Sequence, residues 1–117
     1  MSDRQTHIIK RLRATGAATA EFFRSFAADS FQEQIYSSGG EWLLRDVLAH
    51  FVSIEHTFLK YSHEILAGGE GAPENFDIDE YNEAQIALKK HQEPDDLLAA
   101  FENAREETIV LVESFKG

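Results

Sequence analysis

The stretch that decides the fold is "GEWLLRDVLAHFVSIEHTF", residues 40–58. Within it, Val47, Phe51 and Ile54 recur at steps of three or four residues, the spacing of one apolar face of an amphipathic α-helix. His50 comes three residues after Val47 and four before Ile54, at the edge of that face. The stretch therefore predicts a core-facing helix and raises the question of what His50 does.

The same periodicity on both sides predicts three long helices and one shorter helix. We expect the long helices over residues 3–27, over 42–67 and from 94 onward, and the short one over 76–92. Gly16 lies in the apolar stripe of the first helix, and its small size favours close packing of a neighbouring helix over a cavity. The three stripes are Ile9, Leu12, Gly16, Thr19, Phe23 and Phe26; Leu44, Val47, Phe51, Ile54, Phe58 and Ile65; and Leu97, Phe101, Ala104, Thr108, Leu111 and Phe115.

The composition predicts a single all-α domain over residues 1–117 and limits its partners. The 11 basic and 21 acidic residues give a net charge of −10, which repels phosphate backbones, so we expect no nucleic-acid partner. No segment has the length of a secretory signal or a membrane span, which predicts a cytoplasmic protein without a membrane partner. The chain has no cysteine, so thiolate metal ligands and cysteine nucleophiles are excluded.

The histidines show no metal-binding spacing. No His-x-x-x-His or Glu-x-x-His pair occurs, and four of the five histidines are predicted to be exposed surface residues: His7, His56, His63 and His91. His50 is the exception. For a single histidine at a helix edge, a buried residue with one hydrogen-bond partner is favoured over a metal ligand, because a metal needs further ligands from other helices.

The chain resembles the DinB-like superfamily, which includes metal-dependent isomerases of the maleylpyruvate type and related thiol transferases. The matching residues are Trp42, the run 45–50 (RDVLAH), the pair Asp79 and Asn82, and the helix start at 94–98 (PDDLL). The resemblance implies an up-down four-helix bundle with a long link after its second helix. Leu43 stands where the family has a capping Ser or Thr, so we expect Asp46 to contact the helix start alone.

The resemblance also implies a divalent metal, zinc or nickel, held by the second helix and by a histidine pair on a fourth long helix. His50 falls on the second-helix ligand position, and the other two ligand positions have no counterpart in this sequence. Without a fourth long helix, one side of the apolar stripes stays uncovered. We therefore expect a homodimer that completes the bundle.

Three hypotheses about function follow. The first is a DinB-like helical bundle of unassigned activity without a complete metal site, serving association or binding. The second is a metal-dependent enzyme acting on a thiol or a small electrophile, with the site completed by a partner chain or a missing segment. The third is a small-molecule binder with an apolar pocket near Gly16, Thr19 and His50.

Overall fold

The computed structural model describes residues 2–37, 40–71 and 75–115 and confirms the all-α class. Three long helices and one short helix are present, as the apolar periodicity predicts. A short 3-10 helix and a two-stranded antiparallel hairpin stand between the first two long helices. The elements in chain order are α1 (Asp3–Arg24), the 3-10 helix (Ala28–Gln32), β1 (Gln34–Ser37), β2 (Gly40–Leu43), α2 (Leu44–Leu66), α3 (Ile78–Leu88) and α4 (Pro94–Glu113).

α4 is the central helix of the bundle. It packs closely against both α1 and α2, whereas the backbones of α1 and α2 approach each other much less. Its buried residues follow the predicted stripe from Leu97 to Leu111, and Pro94 opens it in the first turn, where a missing N–H costs nothing. Between the helices lies a core whose largest fully buried apolar side chains are Phe23, Phe101, Leu48, Leu97 and Val52.

The hairpin is the main local difference from the predicted secondary structure. Trp42, expected at the start of the second helix, lies in β2, and α2 begins at Leu44. Gln34 pairs with Leu43 at the base of the hairpin, and the Leu44 N–H donates to the Glu33 carbonyl at 2.9 Å. Strands of four residues are too short for alternation to distinguish them from the first turn of a helix.

Asp46 caps α2 without a reciprocal side-chain partner, as expected because Leu43 has no hydroxyl. The Leu43 N–H donates to Oδ2 of Asp46 at 3.0 Å, which is the carboxylate half of a capping box. Leu43 has no side-chain acceptor to complete the other half. One carboxylate therefore both fixes the entry of the chain into α2 and complements the positive end of the helix dipole.

The buried face of α2 differs from the face that the sequence favoured. The side chains packed inward include Leu48 and Val52, both 0% exposed, whereas Phe51, Ile54 and Phe58 are 38%, 46% and 49% exposed. α2 is apolar on two adjacent faces, and α4 covers one of them. The fold thus leaves uncovered much of the stripe that appears most hydrophobic in the sequence.

Candidate docking groove and the His50 region

Exposed apolar side chains of α1 and α2 form a surface between these two helices. We call it the open groove. Its large apolar side chains, each at least 38% exposed, are Ile8 and Phe22 of α1 and Phe51, Ile54, Phe58 and Ile65 of α2. The four from α2 are spaced by three, four and seven residues, lie on one helix face, and are called the α2 ridge.

Contacts at both ends of the groove show that α1 and α2 border it in antiparallel directions. At one end, the rings of Phe23 and Phe51 meet edge to face with centroids 5.8 Å apart. At the other end, Ile8, Leu66 and Phe115 line a common cavity of about 730 Å³. Fifteen residues of α2 separate the two ends, so the groove is about 22 Å long at 1.5 Å per helical residue.

A buried ion pair ties α1, α2 and α4 together at mid-length. Arg105 of α4 donates from Nε and Nη2 to Oε1 of Glu55 at 3.1 and 2.6 Å. Its Nη1 donates to the Leu12 carbonyl and to the Thr15 hydroxyl, both at 2.9 Å. The Thr108 hydroxyl lies 3.0 Å from Oε2 of Glu55. Because Glu55 is 9% exposed, these contacts are needed to compensate the desolvation of its charge.

Gly16 makes room for this ion pair. A Cβ on Gly16 would come within 2.9 Å of Cγ of Arg105, so the glycine allows the Arg105 side chain to cross from α4 toward α1. The Arg105 side chain therefore packs closely at Gly16, as favoured from the sequence, and Gly16 also lines a cavity of about 280 Å³ with Ala17 and Phe101. Five cavities in the described part of the chain do not bring Gly16, Thr19 and His50 together.

His50 lies at the border between the packed and the open sides of α2. Its ring meets the indole of Trp42 edge to face, with centroids 5.2 Å apart. Nδ1 is buried without a hydrogen-bond partner in the described residues. Burial lowers the pKa of His50 below its ordinary value of 6.5, which keeps the imidazole neutral at pH 7. Neutral imidazole is the form that ligates metals.

The residues around His50 do not fit a three-ligand metal centre. Among the residues that the structure describes, no three His, Asp or Glu side chains are close enough to hold an ion. Asp46, the nearest acidic residue along α2, accepts from the Leu43 N–H and lies 3.1 Å from Arg45, and Glu55 pairs with Arg105. His7, His56, His63 and His91 are exposed, as predicted. His50 thus has one feature of a ligand, a buried free nitrogen, without the rest of a site.

Arg45 has a structural role that the sequence does not predict. Its guanidinium, 6% exposed, donates from Nη2 to the carbonyls of Lys89 and Gln92 at 2.7 and 2.8 Å. Nη1 lies 3.1 Å from Oδ1 of Asp46. A cation beside carbonyls that follow a helix C-terminus is electrostatically favourable. Arg45 therefore fastens the end of α3 to the start of α2.

A polar cleft of about 530 Å³ opens next to Arg45, between the starts of α2 and α4 and the end of α3. Cationic and acidic side chains both line it, among them Lys90, Glu83 and Glu93. Since both signs of charge line its walls, the cleft shows no clear preference for an anion or a cation. His50 is not among its lining residues.

Comparison with known proteins identifies the class. The sequence matches the model of the DinB family over residues 1–115. The chain belongs to the DinB family. A comparison with curated proteins gives no match. In the described part of the chain, no helix is both long and apolar enough to cross a bilayer.

Among solved structures, the chain is similar to the colibactin self-resistance protein ClbS in complex with a dsDNA. The TM-score is 0.81 at 13% sequence identity, and the match covers 96% of this chain and 71% of the ClbS chain. At that identity the similarity establishes the fold alone. It confirms the helical bundle that the family resemblance implies.

The ClbS match also corrects the expectation that nucleic acid is excluded as a partner. A protein of the same fold is found bound to dsDNA, so the exclusion drawn from the net charge was wrong. Net charge is a sum over the whole surface, whereas association depends on local potential. In this chain α1 contains five Lys or Arg and two Asp or Glu, a net charge of +3, and the rest carries −13.

Proposed function

We propose that this chain is a non-catalytic helical-bundle module of the DinB family that associates with a second copy of itself through the open groove. The observation that carries the proposal is the groove itself. Six large apolar side chains are exposed along one surface between α1 and α2. Continuous apolar patches of this kind mark interaction sites in soluble proteins.

The packing around the groove supports association rather than collapse of the monomer. α4 packs against both α1 and α2, whose backbones approach each other much less. At mid-length the Arg105–Glu55 pair joins α4 to α2. The same arginine also donates to the Leu12 carbonyl of α1, so it ties both helices to α4. A partner that covers the ridge from outside would bury its exposed apolar side chains.

Light scattering coupled to size exclusion tests the proposal. We expect the wild type to be a dimer and the double variant Ile54→Glu/Phe58→Glu to be a monomer, since two carboxylates in an apolar interface would have to be desolvated. The matched control is Leu88→Glu, because Leu88 is 74% exposed on α3. That variant should remain a dimer.

Circular dichroism of the same variants separates loss of association from loss of folding. Both ridge positions are about half exposed in the monomer, so the helical signal should be retained. A wild type that is monomeric at every concentration, or a double variant that remains dimeric, would overturn the proposal.

A second candidate function is a divalent-metal enzyme whose ligand set is completed by groups from outside the described residues. It is supported by Nδ1 of His50, which is buried without a partner. The test is the metal content per chain after purification without chelator, compared between the wild type and His50→Ala. Stoichiometric zinc or nickel that is lost in His50→Ala would favour the enzyme, and a metal-free wild type would favour the non-catalytic module.

A further inference from the structure

Two cavities of different character adjoin at the start of α4. One is the polar cleft of about 530 Å³ next to Arg45. The other, of about 580 Å³, lies between the end of α1, the 3-10 helix and the first turn of α4. Gln32, Glu93 and Pro94 line both cavities. We call the two together the α4-entry pocket, and each half has the volume of a small-molecule site.

The second cavity has an aromatic wall. Phe23 and Phe31, 1% and 7% exposed, line it together with the half-buried Phe26. The rings of Phe26 and Phe31 meet edge to face with centroids 6.4 Å apart. Arg24 at the rim is paired with Glu102, so its charge is already compensated. A wall of this kind accepts a further aromatic ring, because aromatic groups pack favourably edge to face.

The polar cleft offers two cations to an acidic group. Arg45 lines the cleft and is 6% exposed. Its Nη2 donates to the Lys89 and Gln92 carbonyls and its Nη1 to Asp46. A guanidinium has five N–H groups, so Nε–H and one N–H of Nη1 have no acceptor among the described residues. Lys90, exposed at the same cleft, forms no ion pair there either. These donors suit a carboxylate.

An uncommitted carboxylate lies where the two cavities meet. Glu93 precedes the first turn of α4, yet its side chain makes no capping hydrogen bond and no ion pair within the described part of the chain. Asp95 adds a second exposed carboxylate on the aromatic side. Glu83, across the polar cleft, accepts from Nε1 of Trp42 at 3.3 Å. Glu93 is therefore available to an ammonium group placed between the cations and the aromatic wall.

We propose that the α4-entry pocket binds an α-amino acid with an aromatic side chain. The carboxylate of the ligand contacts Arg45 and Lys90, its ammonium contacts Glu93, and its ring lies against Phe26 and Phe31. Such a ligand carries both signs of charge, which accounts for a cleft lined by both. The site goes beyond the proposed association, since none of the six apolar residues of the open groove lines either cavity.

Isothermal titration calorimetry of the wild type tests the chemistry of the ligand. L-phenylalanine and L-tryptophan are the probes, and we expect saturable binding of at least one of them. The comparison ligands are L-alanine, 3-phenylpropionate and phenethylamine, which lack the ring, the ammonium and the carboxylate respectively. Each should bind at least about tenfold more weakly, because it loses either the burial of the ring or one charge-assisted hydrogen bond.

Two substitutions test the place of binding. Glu93→Gln and Lys90→Gln should each weaken binding of the better probe by about tenfold. Both side chains are exposed, so circular dichroism should show an unchanged fold. Glu107→Gln, at an exposed carboxylate of the same helix outside the pocket, is the control and should bind like the wild type.

The possible outcomes either support or overturn the proposal. Absence of saturable binding for both aromatic amino acids would overturn it. So would equal affinity for L-phenylalanine and any of the three comparison ligands, because the ring and both charges are required together. Binding that is unchanged in Glu93→Gln and Lys90→Gln would show that the ligand lies elsewhere. Weaker binding in both variants but not in Glu107→Gln supports the assigned site.

Discussion

The two apolar faces of α2 contrast sharply although they belong to one helix. The face toward α4 is closed: Leu48 and Val52 are fully buried, and Glu55 beside them is held by Arg105 and Thr108. The face toward the open groove has larger side chains, yet Phe51, Ile54 and Phe58 remain substantially exposed. Hydrophobicity alone therefore does not decide burial, because a face is buried only where a neighbouring element covers it.

The largest expected effect comes from removing a side chain on the closed face. Leu48→Ala should lower the free energy of unfolding by about 3–4 kcal/mol, since it removes buried methyl groups and leaves a cavity in a packed core. Ile54→Ala, the matched change on the open face, should cost less than about 1 kcal/mol in the monomer. Urea denaturation at a concentration where the protein is monomeric measures both, and equal losses would contradict the distinction between the faces.

A smaller effect is expected at the ion pair between the two faces. Glu55→Gln should destabilise the protein by about 2 kcal/mol, because hydrogen bonds to a charged group are replaced by bonds to a neutral amide and Arg105 loses its counter-charge. Glu106→Gln is the control, since Glu106 pairs with Arg13 at 3.1 Å on the exposed surface. Such exposed pairs contribute at most about 1 kcal/mol, and a larger loss in the control would contradict the assigned importance of burial.

The smallest effect concerns the pH dependence of stability through His50. Burial lowers its pKa below 6.5 in the folded chain, so below that pH the unfolded state binds more protons than the folded state. The free energy of unfolding should therefore fall as the pH is lowered from 7 through the region of 6.5 and below. Comparing His50→Gln with His63→Gln, at an exposed histidine of the same helix, checks this: only His50→Gln should flatten the acid side of the profile.

Much of the fold was predictable because helical periodicity is a local property. The stripes of α1 and α4, the first-turn Pro94 and the lone capping carboxylate of Asp46 follow from spacing and cap chemistry. The Arg105–Glu55 pair was not predicted, although Glu55 lies three residues after Val52 and four before Leu59, on the buried face. That spacing is the signal which would have found it.

The sequence by itself determined that the chain folds into three amphipathic helices and a shorter one, that it belongs with the DinB-like bundles, and that His50 lies at a helix edge. These properties depend on neighbours within one or two helical turns. The tertiary structure alone decided that α4 covers the Leu48 face and leaves the α2 ridge open. It also decided that Glu55 turns to Arg105, fifty residues away along the chain. Which face is buried is a competition between surfaces, and it is settled only when distant segments pack.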